Sequence, residues 1–391
     1  MLRTGLVLGL LALVGPFAID MYLPAMPGIA AAFGTPETAV QATLTGYFIA
    51  FGVAQLVYGP LADRYGRRLP VFLGLAVFVA GSIGAATAGS IGALVTWRAV
   101  QGLGGAALMV VPRAIVRDMY TGPQATRLMA MIMLVISVSP MLAPLAGSAV
   151  IAVADWRTIF AVLAVAGLLS LLVTALVQPE TLPPERRLPI NAAALIRGGR
   201  DLLRDPGFMG LTLIGGFGMA SFFVFIAFAP FVYVREFGLT PTGFSVAFAV
   251  NAIGFFSASQ CAGYLGERMG MRQLVRRGTA GFALFTILLF ALALAGLTSL
   301  PLVVAGLFCA NACLGVVIPT AMVLALDDHG ENAGLASSLG GTLQMVAGGV
   351  MIAAAGPFFD GTALPMLGAI AVCGLAAMGL TATMLPREQV A

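Results

Sequence analysis

The chain has 391 residues, of which 60% are hydrophobic and only 9% charged, with a formal net charge of +4. A soluble domain is about 45–50% apolar and about 25% charged, so this composition excludes a soluble globular fold and requires lipid as part of the solvent. All twenty basic residues are arginine, and the lack of lysine excludes both a P-loop nucleotide site and a Schiff-base enzyme.

A spanning helix needs about 20 mostly apolar residues. Twelve such runs follow one another, near 5–28, 40–61, 70–88, 92–115, 127–152, 157–177, 208–234, 243–264, 277–297, 301–325, 334–356 and 363–385. The first follows Arg3 and imitates a secretory leader. Its loss would leave an odd number of spans, and it leads straight into "DMYLPAMP" (Asp20 to Pro27), so it is expected to be retained. The second holds Tyr47 and meets the turn "GPLADRYGRR" (Gly59 to Arg68). The fourth carries "RAVQGLGGA" (Arg98 to Ala106), then Met109, Arg113 and Arg117; the fifth contains "APLAGS" (Ala143 to Ser148). After the sixth comes the one long connection, residues 178–207, "QPETLPPERRLPINAAALIRGGRDLLRDPG". The seventh reads "FFVFIAFAPFVY" in its outer part, and the turn after the eighth reads "GYLGERMGMR" (Gly263 to Arg272). Asn251, Asn311 and Gln344 place amides in the eighth, tenth and eleventh.

The arginines orient these runs. Arg64, Arg67 and Arg68 follow the second span, Arg117 and Arg127 flank the connection after the fourth, and Arg268, Arg272, Arg276 and Arg277 follow the eighth. Arg186, Arg187, Arg197, Arg200 and Arg204 fill the middle connection, while only Arg157 and Arg235 fall on the other side. By the positive-inside rule, the middle connection and both termini are expected in the cytoplasm. The expected fold is all-α and membrane-integral: twelve transmembrane helices in two six-helix halves, 1–177 and 208–391, joined by a cytoplasmic linker, 178–207. The two charged turns hold equivalent places in these halves. Gly59, Leu61, Arg64, Gly66 and Arg68 recur as Gly263, Leu265, Arg268, Gly270 and Arg272, and Asp63 meets Glu267. This matching marks an internal duplication, the device by which many secondary transporters build a central site with two access states.

Other chemistries find little support. Cys261, Cys309, Cys313 and Cys373 sit in apolar runs without CxxC spacing and read as small buried hydrophobes. The single histidine, His329, cannot make a metal site of ordinary ligand spacing, and neither a metal nor a cofactor is expected. A membrane enzyme would need a constellation such as paired His and Asp groups, and a primary pump a nucleotide motif. The chain is therefore expected not to be an enzyme. Its net charge, read by position, orients spans and does not point to nucleic acid.

"GPLADRYGRR" after the second of twelve spans resembles the signature loop of the major facilitator superfamily. "RAVQGLGGA" resembles the arginine-bearing motif of the fourth span in that family's drug:proton antiporters. "APLAGS" is similar to their Gly-Pro-x-x-Gly-Gly motif through Pro144 and Gly147, although Ala143 and Ser148 replace two of its glycines. "DMYLPAMP" and "PETLPPERR" (Pro179 to Arg187) narrow the resemblance to the bicyclomycin/chloramphenicol-resistance branch. It implies a proton-driven exporter of small amphipathic, drug-like compounds, set as a monomer in the lipid bilayer of the bacterial cytoplasmic (inner) membrane. It also implies a conformational latch made by Gly59, Asp63, Arg64, Gly66 and Arg67, lying beneath the start of the eleventh span around Gly334 to Ser338. Arg113 or Arg117 is expected to add a second partner for Asp63.

Asp20 is the one acid well inside a span, and a charge at membrane depth usually lines a cavity or binds something. At 1.5 Å per residue it lies roughly 22 Å from the inner face, and Arg98 roughly 9 Å below the outer face. In a core of about 30 Å these depths nearly coincide, and the resemblance implies that spans 1 and 4 both border the cavity, so the two are expected to interact and to couple proton movement to conformation; the alternatives are a static ion pair or an aspartate that reaches the outer interface near Pro24. Tyr22, Tyr47, Gln101, Met109, Phe222, Phe225, Asn251 and Gln344 are the candidates for the substrate cavity. Several phenylalanines of the seventh span are expected to face lipid, and the amides have hydrogen bonding between spans as their alternative. The rival function is a proton-coupled symporter or facilitator of a small metabolite.

Overall fold

A computed structural model describes residues 2–120, 122–187, 189–327, 329 and 333–385. The chain divides into two compact units, Met1–Ala192 and Ala193–Ala391. Among the described residues all regular secondary structure is helical, and twelve helices are long and apolar enough to cross a membrane.

The first unit contains α1 (Leu2–Asp20), α2 (Met26–Phe33), α3 (Glu37–Tyr65), α4 (Arg68–Ala86), α5 (Ile91–Met119), α6 (Gly122–Val153) and α7 (Arg157–Val177). α1 and α2 together form the first candidate span, Val7–Phe33. The expected single run is thus broken, with a short 3-10 turn at Leu23–Ala25 between its two helices. Pro24 and Pro27 cause the break, because neither offers the N–H that would carry an unbroken helix through. α5 lies wedged between α3 and α4. A Cβ on Gly102 would stand 2.5 Å from the Tyr47 carbonyl oxygen, and one on Gly104 would stand 2.3 Å from the Phe78 nitrogen. The glycines of "RAVQGLGGA" therefore permit close helix contact.

The charged turns are shorter than the apolar runs suggest. α3 continues through Pro60, Asp63 and Arg64 to Tyr65, and α4 starts at Arg68, leaving Gly66 and Arg67 as the connection. Gly66 has φ +88° and its counterpart Gly270 has φ +84°, a region open to glycine at little cost. Helices extend past the hydrocarbon, so their charged ends carry no apolar signal.

α8 (Ala192–Arg204) opens the second unit, with its first residue the last of the first unit, and α9 (Pro206–Arg235), α10 (Pro241–Met269), α11 (Met271–Leu294), α12 (Leu300–Asp327), α13 (Ala333–Ala355) and α14 (Ala363–Met384) follow. α9 packs against α12, α13 and α14. This overturns the expectation that several of its rings meet lipid: Phe222, Phe223, Phe225, Phe228, Phe231 and Tyr233 are all buried. The helix α8, inside the long connection, had no counterpart among the apolar runs.

Candidate functional site

The buried polar groups of the first unit converge on Arg98. α5 starts at Ser90, whose side chain accepts the Ala93 N–H, and Arg98 emerges two turns later, fully buried. Its Nη1 donates to the Ala18 carbonyl oxygen at 2.9 Å and to Gln101 Oε1. Gln101 Nε2 donates to Ser82 Oγ at 2.7 Å, and Ser82 donates to the Phe78 carbonyl at 2.8 Å. One relay thus joins α1, α5 and α4.

Ala18 belongs to the last turn of α1, where carbonyl oxygens lack intrahelical donors. The broken span therefore presents the negative end of a helix dipole, which favours a cation. Aromatic rings complete the enclosure, with the guanidinium carbon 4.6 Å from the Tyr47 ring centroid, 4.9 Å from Tyr22 and 5.8 Å from Phe160. Such faces attract a desolvated guanidinium. The Tyr22 hydroxyl lies 2.9 Å from Thr43 Oγ1, and the Tyr47 hydroxyl donates to the Gly15 carbonyl at 3.4 Å. These bonds fix the two rings between α1 and α3.

Asp20, buried, ends α1 midway between the limits of the Val7–Phe33 span. The expected direct pairing with Arg98 is absent: the guanidinium goes to the Ala18 carbonyl, two positions earlier, and to Gln101. The free carbonyl end of α1 and the Gln101 amide oxygen thus take the place expected of the carboxylate. The cluster joins Asp20, Tyr22, Tyr47, Arg98 and Gln101 around one break, while Met109 lies further along α5 and is half-buried.

α6 closes the other side of the break. A Cβ on Gly147 would stand 2.0 Å from the Met21 carbonyl oxygen and 3.1 Å from Pro24 Cγ. Pro144, buried one turn earlier, lies inside the same helix. "APLAGS" therefore supplies the surface on which the first span bends.

A second cluster surrounds the charged turn. Arg67 Nη1 donates to Asp63 Oδ1 at 2.6 Å, and its Nε donates to Asp118 Oδ2 at 2.7 Å. The expected partners of Asp63, Arg113 and Arg117, do not fill that role. Arg117 is exposed, Arg113 is half-buried, and the group offered by the end of α5 is the acid Asp118. The chain reversal at Gly66 brings Arg67 back against Asp63 in the last turn of α3. Burial disfavours the Arg67 charge, but the bonds to Asp118 and Asp63 outweigh that and hold it above the usual guanidinium range. Arg64 is exposed with its guanidinium 5.2 Å from the Tyr65 ring, and Gly59 is half-buried within α3.

Glu180, in the connection after α7, completes this cluster. Its carboxylate accepts the N–H of Arg67 at 2.8 Å, of Arg68 at 3.2 Å, and of Thr181 and Leu182 at 2.9 Å each. It sits over the N-terminus of α4, where a negative charge is favoured. Burial alone would raise its carboxyl, yet the four donors hold it below the usual carboxylate range. This contribution is present above the unfolded carboxylate range and is lost only as the pH falls through the depressed value.

In the second unit, Phe222 stacks on Phe255 at 5.6 Å and Phe225 on Phe248 at 5.4 Å, joining α9 to α10. Asn311 Nδ2 donates to Asn251 Oδ1 at 3.4 Å, the hydrogen bond between spans that was the alternative for these amides. The Gln344 amide faces Gly215, where a Cβ would stand 2.9 Å from its Nε2.

Residues 8–353 match the Major Facilitator Superfamily. The chain is 35% identical over 387 residues to a Bacillus subtilis (strain 168) protein described as "Uncharacterized MFS-type transporter YdgK", covering 97% of this chain and 96% of that one. It is 29% identical to a bicyclomycin resistance protein homolog of Haemophilus influenzae, over 94% of this chain and 92% of the relative. It is 30% identical to multidrug resistance protein D of Escherichia coli (strain K12), over 88% and 86% of the two chains. Its fold is similar to that of a D-xylose-proton symporter, with a TM-score of 0.78, 16% identity and 98% of each chain covered. The chain belongs to the Major Facilitator Superfamily.

Proposed function

We propose that this multi-pass membrane protein is a proton-driven multidrug efflux transporter that exports small amphipathic compounds by alternating access. The observation that carries this reading is the buried carboxyl of Asp20 at the break in the first span, beside an arginine held by the helix end and not by the carboxylate. A carboxyl at this depth is tolerable when neutral and needs water or a cation when charged. Its protonation therefore follows the side to which the break is open. Relatives named for bicyclomycin and multidrug resistance support efflux as the direction. The protein acts as a monomer, as a carrier without catalysis, with protons as its second substrate.

Everted membrane vesicles with an imposed proton gradient test this reading. Acidifying the lumen should drive drug inward, and drug addition should release the gradient. Uptake driven by the opposite gradient would make the protein a symporter.

Both termini and residues 178–207 face the cytoplasm in this reading, because arginines concentrate on that side. An Arg197→Cys variant in a background lacking the four native cysteines should resist an impermeant thiol reagent in intact cells. Ready labelling from outside would reverse the topology and the direction of transport.

Asp63 acts as a conformational latch, its place secured by Arg67 and, through it, by Asp118 and Glu180. Glu267, its counterpart in the repeat, is exposed and makes no ion pair among the described residues. Asp63→Asn should therefore slow transport more than Glu267→Gln, with drug affinity nearly kept. Equal or reversed effects on the transport rate in the same vesicles would sink the latch.

A further inference from the structure

We propose that α8 is a lipid-binding helix whose partner is a membrane surface bearing anionic phospholipid headgroups. Two anchors fix where it lies. Its C-terminal end passes through Asp205, whose side chain accepts the Gly207 and Phe208 N–H groups, into Pro206, the first residue of the span α9. Halfway along, a Cβ on Gly198 would stand 2.9 Å from Leu335, in the first turn of the span α13. α8 therefore runs across the ends of two spans of its own unit and does not project away from them.

The same contacts fix which way its faces point. Gly198 and the buried Leu202, one turn apart, form the side turned to the protein. Ile196 and Leu203 are two turns apart, about 20° from each other around the helix, and are 71% and 48% exposed. Beside that apolar stripe run Arg197, Arg200 and Arg204, all exposed and none held by an ion pair among the described residues. Only Asp201 opposes them on the helix. A short apolar stripe bordered by a row of cations fits the boundary between acyl chains and negative headgroups. A soluble partner would have to leave Ile196 and Leu203 beside the bilayer or displace the helix from both anchors.

The test uses the full chain in nanodiscs of phosphatidylcholine alone or with phosphatidylglycerol. An environment-sensitive fluorophore is attached to an Ile196→Cys variant lacking Cys261, Cys309, Cys313 and Cys373. Quenching by neutral acrylamide reads the exposure of the label. Protection should rise with phosphatidylglycerol, because each arginine engaged favours the inserted over the exposed position of the helix by roughly fivefold. Arg197→Gln, Arg200→Gln and Arg204→Gln together should remove that gain, since these exposed changes leave both anchors intact. Equal protection in the two bilayers would mean that headgroup charge plays no part, and strong quenching in both would mean that the stripe does not enter lipid. Either result overturns the proposal.

Discussion

Replacing Asp20 by asparagine should abolish proton-driven efflux while leaving the binding of an apolar drug within a few-fold of the parent. Asparagine copies the neutral acid in shape and cannot release a proton, so the break in the first span stays in the protonated arrangement. The expected loss is complete because each charge moved through 100 mV supplies about 2.3 kcal/mol, equivalent to a concentration ratio of roughly fifty. Without a titrating group that supply cannot reach the drug. Arg98 is held by the Ala18 carbonyl, Gln101 and three aromatic rings, not by Asp20, so the variant should leave its relay assembled. Thermal unfolding of purified Asp20→Asn should match the parent or exceed it, since a buried group that can ionise has been replaced by one that cannot. Retained drug accumulation in everted vesicles would remove Asp20 from the proton path.

A single methyl group at Gly147 should slow transport strongly, for a mechanical reason. The added carbon would meet the Met21 carbonyl oxygen at 2.0 Å and the Met21 carbonyl carbon at 2.9 Å. These are backbone atoms of the break itself and cannot swing aside as the end of a side chain would. Overpacking of this kind costs about 1–3 kcal/mol, enough to shift a two-state equilibrium roughly five- to 150-fold. Gly147→Ala should therefore lower the transport rate by about that factor, with the protein still inserted and folded. Gly28 in α2 provides the control, because a Cβ there has nothing within 4 Å. Gly28→Ala should transport like the parent. If Gly147→Ala does so too, the break is not gripped by α6 during the cycle.

The sequence and the structure agree most closely where lipid dictates the pattern. Twelve apolar runs of spanning length give twelve candidate spans, because no other composition survives in hydrocarbon. Arg98, Gln101 and Gly147 also stand out in the sequence, as a cation and an amide within a span and a glycine beside Pro144, and the structure packs all three against the broken first span. The bond from Arg98 to Ala18 was not. A backbone carbonyl belongs to every residue, and only the end of α1 makes this one available. Asp118 and Glu180 lie near helix ends and in a connection where acids are ordinary, so nothing in spacing marked them as partners of Arg67 and its neighbours. The rings of α9 show a different limit. Phenylalanine suits lipid and protein interior equally, and the packing of α12, α13 and α14 around that helix decides the matter. α8 was within reach, because Arg197, Arg200 and Arg204 recur at helical spacing in the connection.

Proton release on drug addition, measured in weakly buffered detergent solution across a pH series, tests the assignment of Asp20 most directly. The drug is one identified by resistance and efflux screening in a pump-deficient host. The parent protein should release protons as drug binds, over a limited pH range. Asp20→Asn should release none at any pH while still binding the drug. Release from Asp20→Asn equal to that of the parent would place the transported proton on another group and contradict the account.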